Sequence, residues 1–354
     1  MRFKSLFSAV SRYRFRRVLY IAFFWTLIDI SVTILNTDRS VDLLALSLLT
    51  RSALVFIMSF IMGYLFVFSL RDIFKNKPLL INFFAKTVIV LVAALLMNFL
   101  VQFVDKKLIH HESMDGALQN FTKRTFDFYW LFKKTLYWVI LFLITQLYLE
   151  INDKYSPGVF LDILRGKYLT PKIEDRIVMF IDLKDSTPIA EKLGHQQYFL
   201  FIRKFIHHVS VALIEYDGII YQYVGDEIVV SWMDNEKNIR RCLAAVIESR
   251  KNIQKHSEYF RRAFNIIPEF RVGIHVGEVT VGEIGVIKKD LAMSGDTMNT
   301  TARIRSACNE LNEKFIVSKE FVEKSQLQSF QVQSLGLVEL KGKATSIELF
   351  SLKI

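Results

Sequence analysis

The chain has 354 residues, 52% of them hydrophobic, a net charge of +11 and two cysteines. A mean hydropathy of +0.28 is high for a soluble protein, and the length leaves room for two or three units. Two cysteines, Cys242 and Cys308, exclude a disulfide framework and any CxxC metal centre, so both read as buried small apolar residues in a reducing compartment.

The longest apolar runs lie in the first 150 residues. Arg2, Lys4, Arg12, Arg14, Arg16 and Arg17 precede the first, about 18–35; others run about 52–70, 79–104 and 131–149. A hydrocarbon core needs about 20 apolar residues, so each run can cross one. No small-residue cleavage site follows the first run, which favours an uncleaved helix over a signal peptide. Arg71, Lys75 and Lys77 put the second loop on the same side as the basic N-terminus, the cytoplasm. Four crossings then return the rest of the chain to the cytoplasm. Lys106, Lys107, Lys123 and Arg124 in the outward loop run against the charge rule. Residues 1–150 are thus expected to form a four-helix transmembrane domain in the inner (plasma) membrane, with the lipid bilayer as partner. Much of the positive charge flanks these runs, so no nucleic-acid partner is expected. Asp29, Lys86 and Asn98 are expected to pair between helices, and Lys133 and Lys134 to snorkel to the boundary. They are too sparse to line a transport path.

Residues 151–172 read as a connector. Pro157-Gly158 ends the last membrane helix, and Phe160, Ile163 and Leu164 suit a short amphipathic helix. From 173 to 354, strand-like and helix-like runs mix. Strand 177–181 leads to a helix over 187–193 with Pro188 in its first turn, and a second helix spans 196–216. A hairpin follows, 219–224 and 228–232, with Gly225-Asp226 at its tip. Then come a helix over 236–259, a glycine-punctuated strand pair over 270–285, a helix over 297–309, and strands near 315–317, 335–340 and 347–352. Hairpins among helices indicate an α+β domain.

Asp182 ends an apolar strand just before a helix start, and Asp226 sits at a hairpin tip. Two hard oxygen ligands beside free backbone N–H groups suit a divalent cation and a polyphosphate. His195, His207, His208 and His275 lack metal-ligand spacing and need no special role.

Four motifs then occur in order: Phe180-Ile-Asp182-Leu-Lys-Asp-Ser-Thr187; Gly225-Asp226; Gly273-x3-Gly277-x4-Gly282-x2-Gly285; and Gly295-Asp296-Thr297-Met298-Asn299-x3-Arg303. This series resembles the catalytic domain of class III nucleotide cyclases, the adenylate and guanylate cyclases, over about residues 176–354. The resemblance implies that Asp182 and Asp226 hold two Mg²⁺ or Mn²⁺ ions. It implies that the segment Leu183, Lys184, Asp185 and Ser186 receives phosphate oxygens. Asn299 would orient the ribose, Arg303 would stabilise charge on the reacting phosphate, and Lys341, or Lys343, would bind phosphate. In this family the metal aspartates of one subunit face the Asn and Arg of another, which implies a homodimer. The base-reading positions, Gln222 and Ala292, match neither the adenylate nor the guanylate pattern. The expectation is a cyclase making a 3′,5′-cyclic nucleotide and pyrophosphate from a nucleoside triphosphate. ATP is the leading substrate, and guanylate and pyrimidine nucleotides are alternatives. The rival is a membrane sensor that binds nucleotide without catalysis.

Overall fold

The computed structural model describes residues 9–36, 44–70, 78–104, 115–116, 128–154, 159–287, 290–327, 331–340, 343 and 346–354. Outside them lie Arg2 and Lys4, the loop cations Arg71, Lys75, Lys77, Lys106, Lys107, Lys123 and Arg124, the Pro157-Gly158 break and Lys341. The chain divides into two compact units, Met1–Asp153 and Lys154–Ile354.

The first unit is helical. Its long helices are α1 (Ala9–Asn36), α2 (Leu44–Tyr64), α3 (Leu79–Val104) and α4 (Phe128–Lys154); a π-helical turn, Leu65–Leu70, prolongs α2. Among the described residues two helices, Ser11–Leu35 and Leu48–Ser69, are long and apolar enough to cross a membrane. The apolar stretches of the other two are shorter, Phe84–Ala93 and Thr135–Leu149. In α4 the reason is visible, since Lys133, Lys134 and Glu150 trim the run at both ends. Two of the four expected crossings are therefore supported by length and composition.

Two buried polar groups of this unit, Asp29 and Thr145, are bonded between helices. Asp29 of α1 takes two hydrogen bonds from Arg51 of α2, Nε to Oδ2 at 2.8 Å and Nη2 to Oδ1 at 2.9 Å. Trp25 of α1 donates its indole N–H to Thr145 of α4 at 2.7 Å. An unpaired carboxylate there would carry a large desolvation penalty, and the bidentate guanidinium offsets it. Lys86 is buried.

The second unit is α+β. A short α5 (Val159–Leu164) precedes β1 (Lys172–Leu183), α6 (Ser186–Glu215), β2 (Ile219–Val224), β3 (Glu227–Met233), α7 (Glu236–Lys255) and α8 (Ser257–Phe264). Then come β4 (Phe270–Ile284), β5 (Asp290–Ser294), α9 (Asp296–Glu310), β6 (Phe315–Ser318), α10 (Lys319–Ser325), β7 (Val332–Val338) and β8 (Ile347–Leu352). The sheet order is β2-β3-β1-β4-β6-β8-β7, with β5 paired to β4. β4 and β6 run parallel, and β1 is antiparallel to both β3 and β4.

Alternation along the central strands splits the core in two. Ile177, Met179 and Ile181 of β1 join Ile228, Val230 and Trp232 of β3 and Val272, Ile274 and Val276 of β4 against α6 and α7. Val178, Phe180, Val229, Val279 and Val281 face the other way, onto Met293 and Met298. Burying each such side chain contributes about 1.5–3 kcal/mol, which pins the register. A slip of one residue would exchange the two faces.

Four local readings change. The segment 270–284 is one strand, β4, and its pairing partner is β5 beyond it; its glycines serve close packing and not a turn. β1 begins at Lys172, ahead of the apolar run, because its exposed first residues still pair with β4 as far as Lys172 opposite Val281. The helix read over 236–259 breaks at His256 into α7 and α8. The two helices expected over 187–216 are one element bent at Gly194, whose backbone (φ 71°, ψ 165°) is non-helical.

Candidate active site

Even-numbered residues of β1 face the side covered by α9, so Asp182 points there with Val178 and Phe180. Across β4 it pairs with Arg271, and on β3 the pairing of Ile181 with Ile228 makes Glu227 its next neighbour. Asp226 precedes Glu227 in the tight turn between β2 and β3, where Gly225 takes φ 62°, a backbone conformation that disfavours any residue with a Cβ. The turn delivers Asp226 to Asp182, close enough for its charge to act on the Asp182 carboxyl.

This closeness has an electrostatic signature. Burial, opposed by the Arg305 guanidinium and reinforced by the charges of Asp226 and Glu227, pushes the Asp182 carboxyl up to about 6. Asp226 Oδ2 is buried without a hydrogen-bond partner. An orphaned carboxylate oxygen is costly, and a divalent cation is the group that would satisfy it. Among the described residues no cluster of three or more His, Cys, Asp or Glu forms a metal cage. Two carboxylates, with water and phosphate oxygens completing the shell, are what Mg²⁺ typically takes. The donor set fits that ion.

The phosphate-facing segment is built by the turn from β1 into α6. Leu183 is buried in the core, so only its main chain is available. The Lys184 N–H already donates to the Glu269 carbonyl at 2.8 Å, and its ammonium lies 3.3 Å from Glu269 Oε2. Asp185 turns the chain with φ 57°, and Ser186 opens α6, whose first N–H groups have no intrahelical acceptor.

Asn299 and Arg303 are not brought to the aspartates of their own chain by the face they occupy. Arg305 of α9 reaches Asp182, with Nη1 3.2 Å from Oδ2. At ~100° per residue, Arg303 lies about 200° around the helix from it, while Asn299 and Arg303 are about 40° apart on one face. Asn299 is exposed and Arg303 partly so. Gln222 and Ala292 lie at different registers of the sheet. Gln222 pairs with Val229, itself opposite Phe180, whereas Ala292 pairs with Gly282, just past the Lys172–Val281 pair. The eight residues from Phe180 to Lys172 span roughly 26 Å of strand. Lys343 forms an ion pair with Asp296 at 2.8 Å, which holds that carboxyl below its usual range.

Four residues at the site escaped the sequence reading. Arg305 also donates to Glu227 Oε2, from Nε at 3.0 Å and Nη2 at 2.7 Å. The pair spans 78 positions, and no local pattern announces it. Arg271 is set beside Asp182 by register and bonds Asn309. Tyr198 lies near the aspartates, and burial with the Asp226 and Asp182 charges raises its pKa.

A family model described as adenylate and guanylate cyclase catalytic domain matches residues 170–353. The chain belongs to this family. "Adenylate cyclase 2" of Rhizobium meliloti (strain 1021) is 30% identical over 206 residues, covering 58% of this chain and 57% of that protein. The receptor-type guanylate cyclase gcy-10 of Caenorhabditis elegans is 21% identical over 198 residues, 54% of this chain and 18% of that one. This chain therefore spans little more than half of the first relative and a small part of the second. A solved bacterial light-regulated adenylyl cyclase superposes with a TM-score of 0.54 at 18% identity, covering 61% of this chain and 64% of that one. It shares the fold of this cyclase domain.

Proposed function

We propose that the chain is a membrane-bound nucleotide cyclase. It converts a nucleoside triphosphate, with ATP first, to a 3′,5′-cyclic nucleotide and pyrophosphate at sites shared between two copies. The reading is carried by the pairing of Asp182 with Asp226, whose Oδ2 is buried without a partner.

Asp182 and Asp226 would hold two Mg²⁺ or Mn²⁺ ions. When bound, such ions supply the positive charge that makes a ribose 3′-hydroxyl nucleophilic and offsets charge on the leaving pyrophosphate. The main chain from Leu183 to Ser186 lies where phosphate oxygens would meet the start of α6; beyond the occupied Lys184 N–H, the donors come from Asp185 and Ser186. Asn299 would orient the ribose, and Arg303 would stabilise charge at the reacting phosphate. Both sit on a different face of α9 from Arg305, which supports their serving the aspartates of a second copy. Gln222 and Ala292 would face the base. Lys341 or Lys343 would add a phosphate contact.

Gln222 is exposed on β2 and can donate and accept, while Ala292 offers no side-chain hydrogen bond. This leaves guanylate and pyrimidine nucleotides as the second reading. Residues 1–150 would anchor the protein with four crossings in the inner (plasma) membrane and the cyclase domain, 173–354, in the cytoplasm. The connector, 151–172, would join them.

The test is the full chain in detergent or nanodiscs, given Mg²⁺ or Mn²⁺ and each of the four triphosphates. Cyclic product with ATP as best substrate is expected. A better rate with GTP, CTP or UTP corrects the base, and no product from any leaves a nucleotide-binding sensor.

A further inference from the structure

We propose that Arg305 is a resident cation of the metal cradle. Its guanidinium stands beside Asp182, where a divalent ion would be held, and metal entry requires that contact to open. The inference rests on the reading of Asp182 and Asp226 as metal carboxylates.

Glu227 neighbours Asp182 across the β1–β3 ladder and Asp226 precedes it in the turn, so the charges of both act on Asp182. Arg305 contacts Glu227 and Asp182 unequally. Glu227 takes two donors on one oxygen, at 3.0 and 2.7 Å, whereas Asp182 meets one nitrogen at 3.2 Å. The Glu227 end is the anchor, and the Asp182 end is the weaker contact. The guanidinium also leaves Asp226 Oδ2 without a partner, so it neutralises the cradle without completing it.

The base of the side chain cannot retreat. A Cβ on Gly273 would lie 2.5 Å from the Arg305 main-chain nitrogen and 2.8 Å from its Cα, so α9 is seated directly on β4 at this residue. The flexible part is the guanidinium, and its side chain is 22% exposed. It can leave Asp182 while still bonded to Glu227. A fixed positive charge next to the cradle opposes a second cation. Removing it is expected to tighten metal binding by about tenfold or more, since charges this close interact strongly even at an effective dielectric of ~20.

The experiment is Mn²⁺ binding without nucleotide, read from the free-ion electron paramagnetic resonance signal on the full chain in detergent. Arg305→Gln and the longer neutral Arg305→Met are each expected to bind Mn²⁺ about tenfold or more tightly than wild type. Arg305→Lys, which keeps the charge, should stay within about threefold. Asp226→Asn serves as the site control. If that control loses binding while both neutral variants match or fall below wild type, the Arg305 inference is overturned and the metal reading stands. If wild type and Asp226→Asn bind alike, the metal reading falls and this inference with it.

Discussion

The main-chain nitrogen of Arg305 packs so closely on Gly273 that a Cβ there would stand 2.5 Å from it. Thr301 O, one turn earlier on α9, would be 2.9 Å away. These are backbone atoms, and they cannot rotate aside. Gly273→Ala should therefore lift α9 from the sheet, costing about 1–3 kcal/mol or more and displacing Asn299, Arg303 and Arg305 together. The expected outcome is a lowered melting temperature with loss of cyclase activity. A variant that melts like wild type would contradict this seating of α9.

Asp226→Asn separates chemistry from stability. It removes a charge that opposes ionisation of Asp182, so in EDTA the fold should melt at the same temperature as wild type or higher. Cyclase activity with Mg²⁺ should fall at least about 100-fold, the scale of losing one electrostatic stabiliser. The pH dependence carries the sign. The Asp182 carboxyl is raised from 3.8 to about 6 in the fold, by burial first, so the folded state holds its proton longer than the unfolded state. Its ionisation therefore erodes stability as pH rises from near 4 through 6. In Asp226→Asn that decline should shrink; melting curves in EDTA at pH 4.5 and 7 measure it.

His208 shows the opposite dependence. Its ring stacks on His256 with centroids 3.9 Å apart and meets Phe260 edge-on. Burial, then the neighbouring His256, His207 and Lys204, lowers its pKa from 6.5 to about 4. The unfolded chain takes up the proton first, so this contribution is full above pH 6.5 and is lost as pH falls toward 4. His208→Gln should flatten the acid-side drop in melting temperature between pH 7 and 4.5. An unchanged drop would show that His208 does not stay neutral in the fold.

The proposed sharing of each site between two copies predicts complementation. Asp226→Asn and Arg303→Ala should each be nearly inactive alone. Mixed in equal amounts with free exchange, about half the dimers are heterodimers holding one intact site, so about a quarter of wild-type activity should return. No recovery on mixing, with dimers present by light scattering, would place a complete site within one chain.

Much of this was legible in the linear chain because the signals are local. Apolar runs marked the first unit, period-2 runs marked β1 and β3, and the Gly225-Asp226 tip and the four ordered motifs carried the family. The parts that were not legible are long-range. β4 and β5 looked like one hairpin because glycines that admit α9 resemble glycines that make turns. Glu227 and Arg305 each look like an ordinary surface charge; only the register of β3 against β1 and the close seating of α9 bring them to Asp182. The sequence by itself determined the family and the α+β class, since strand alternation and turn chemistry are written in neighbouring residues. Tertiary structure alone decided which charges share the cradle and which face of α9 turns away from it, because that depends on packing between segments far apart in the chain.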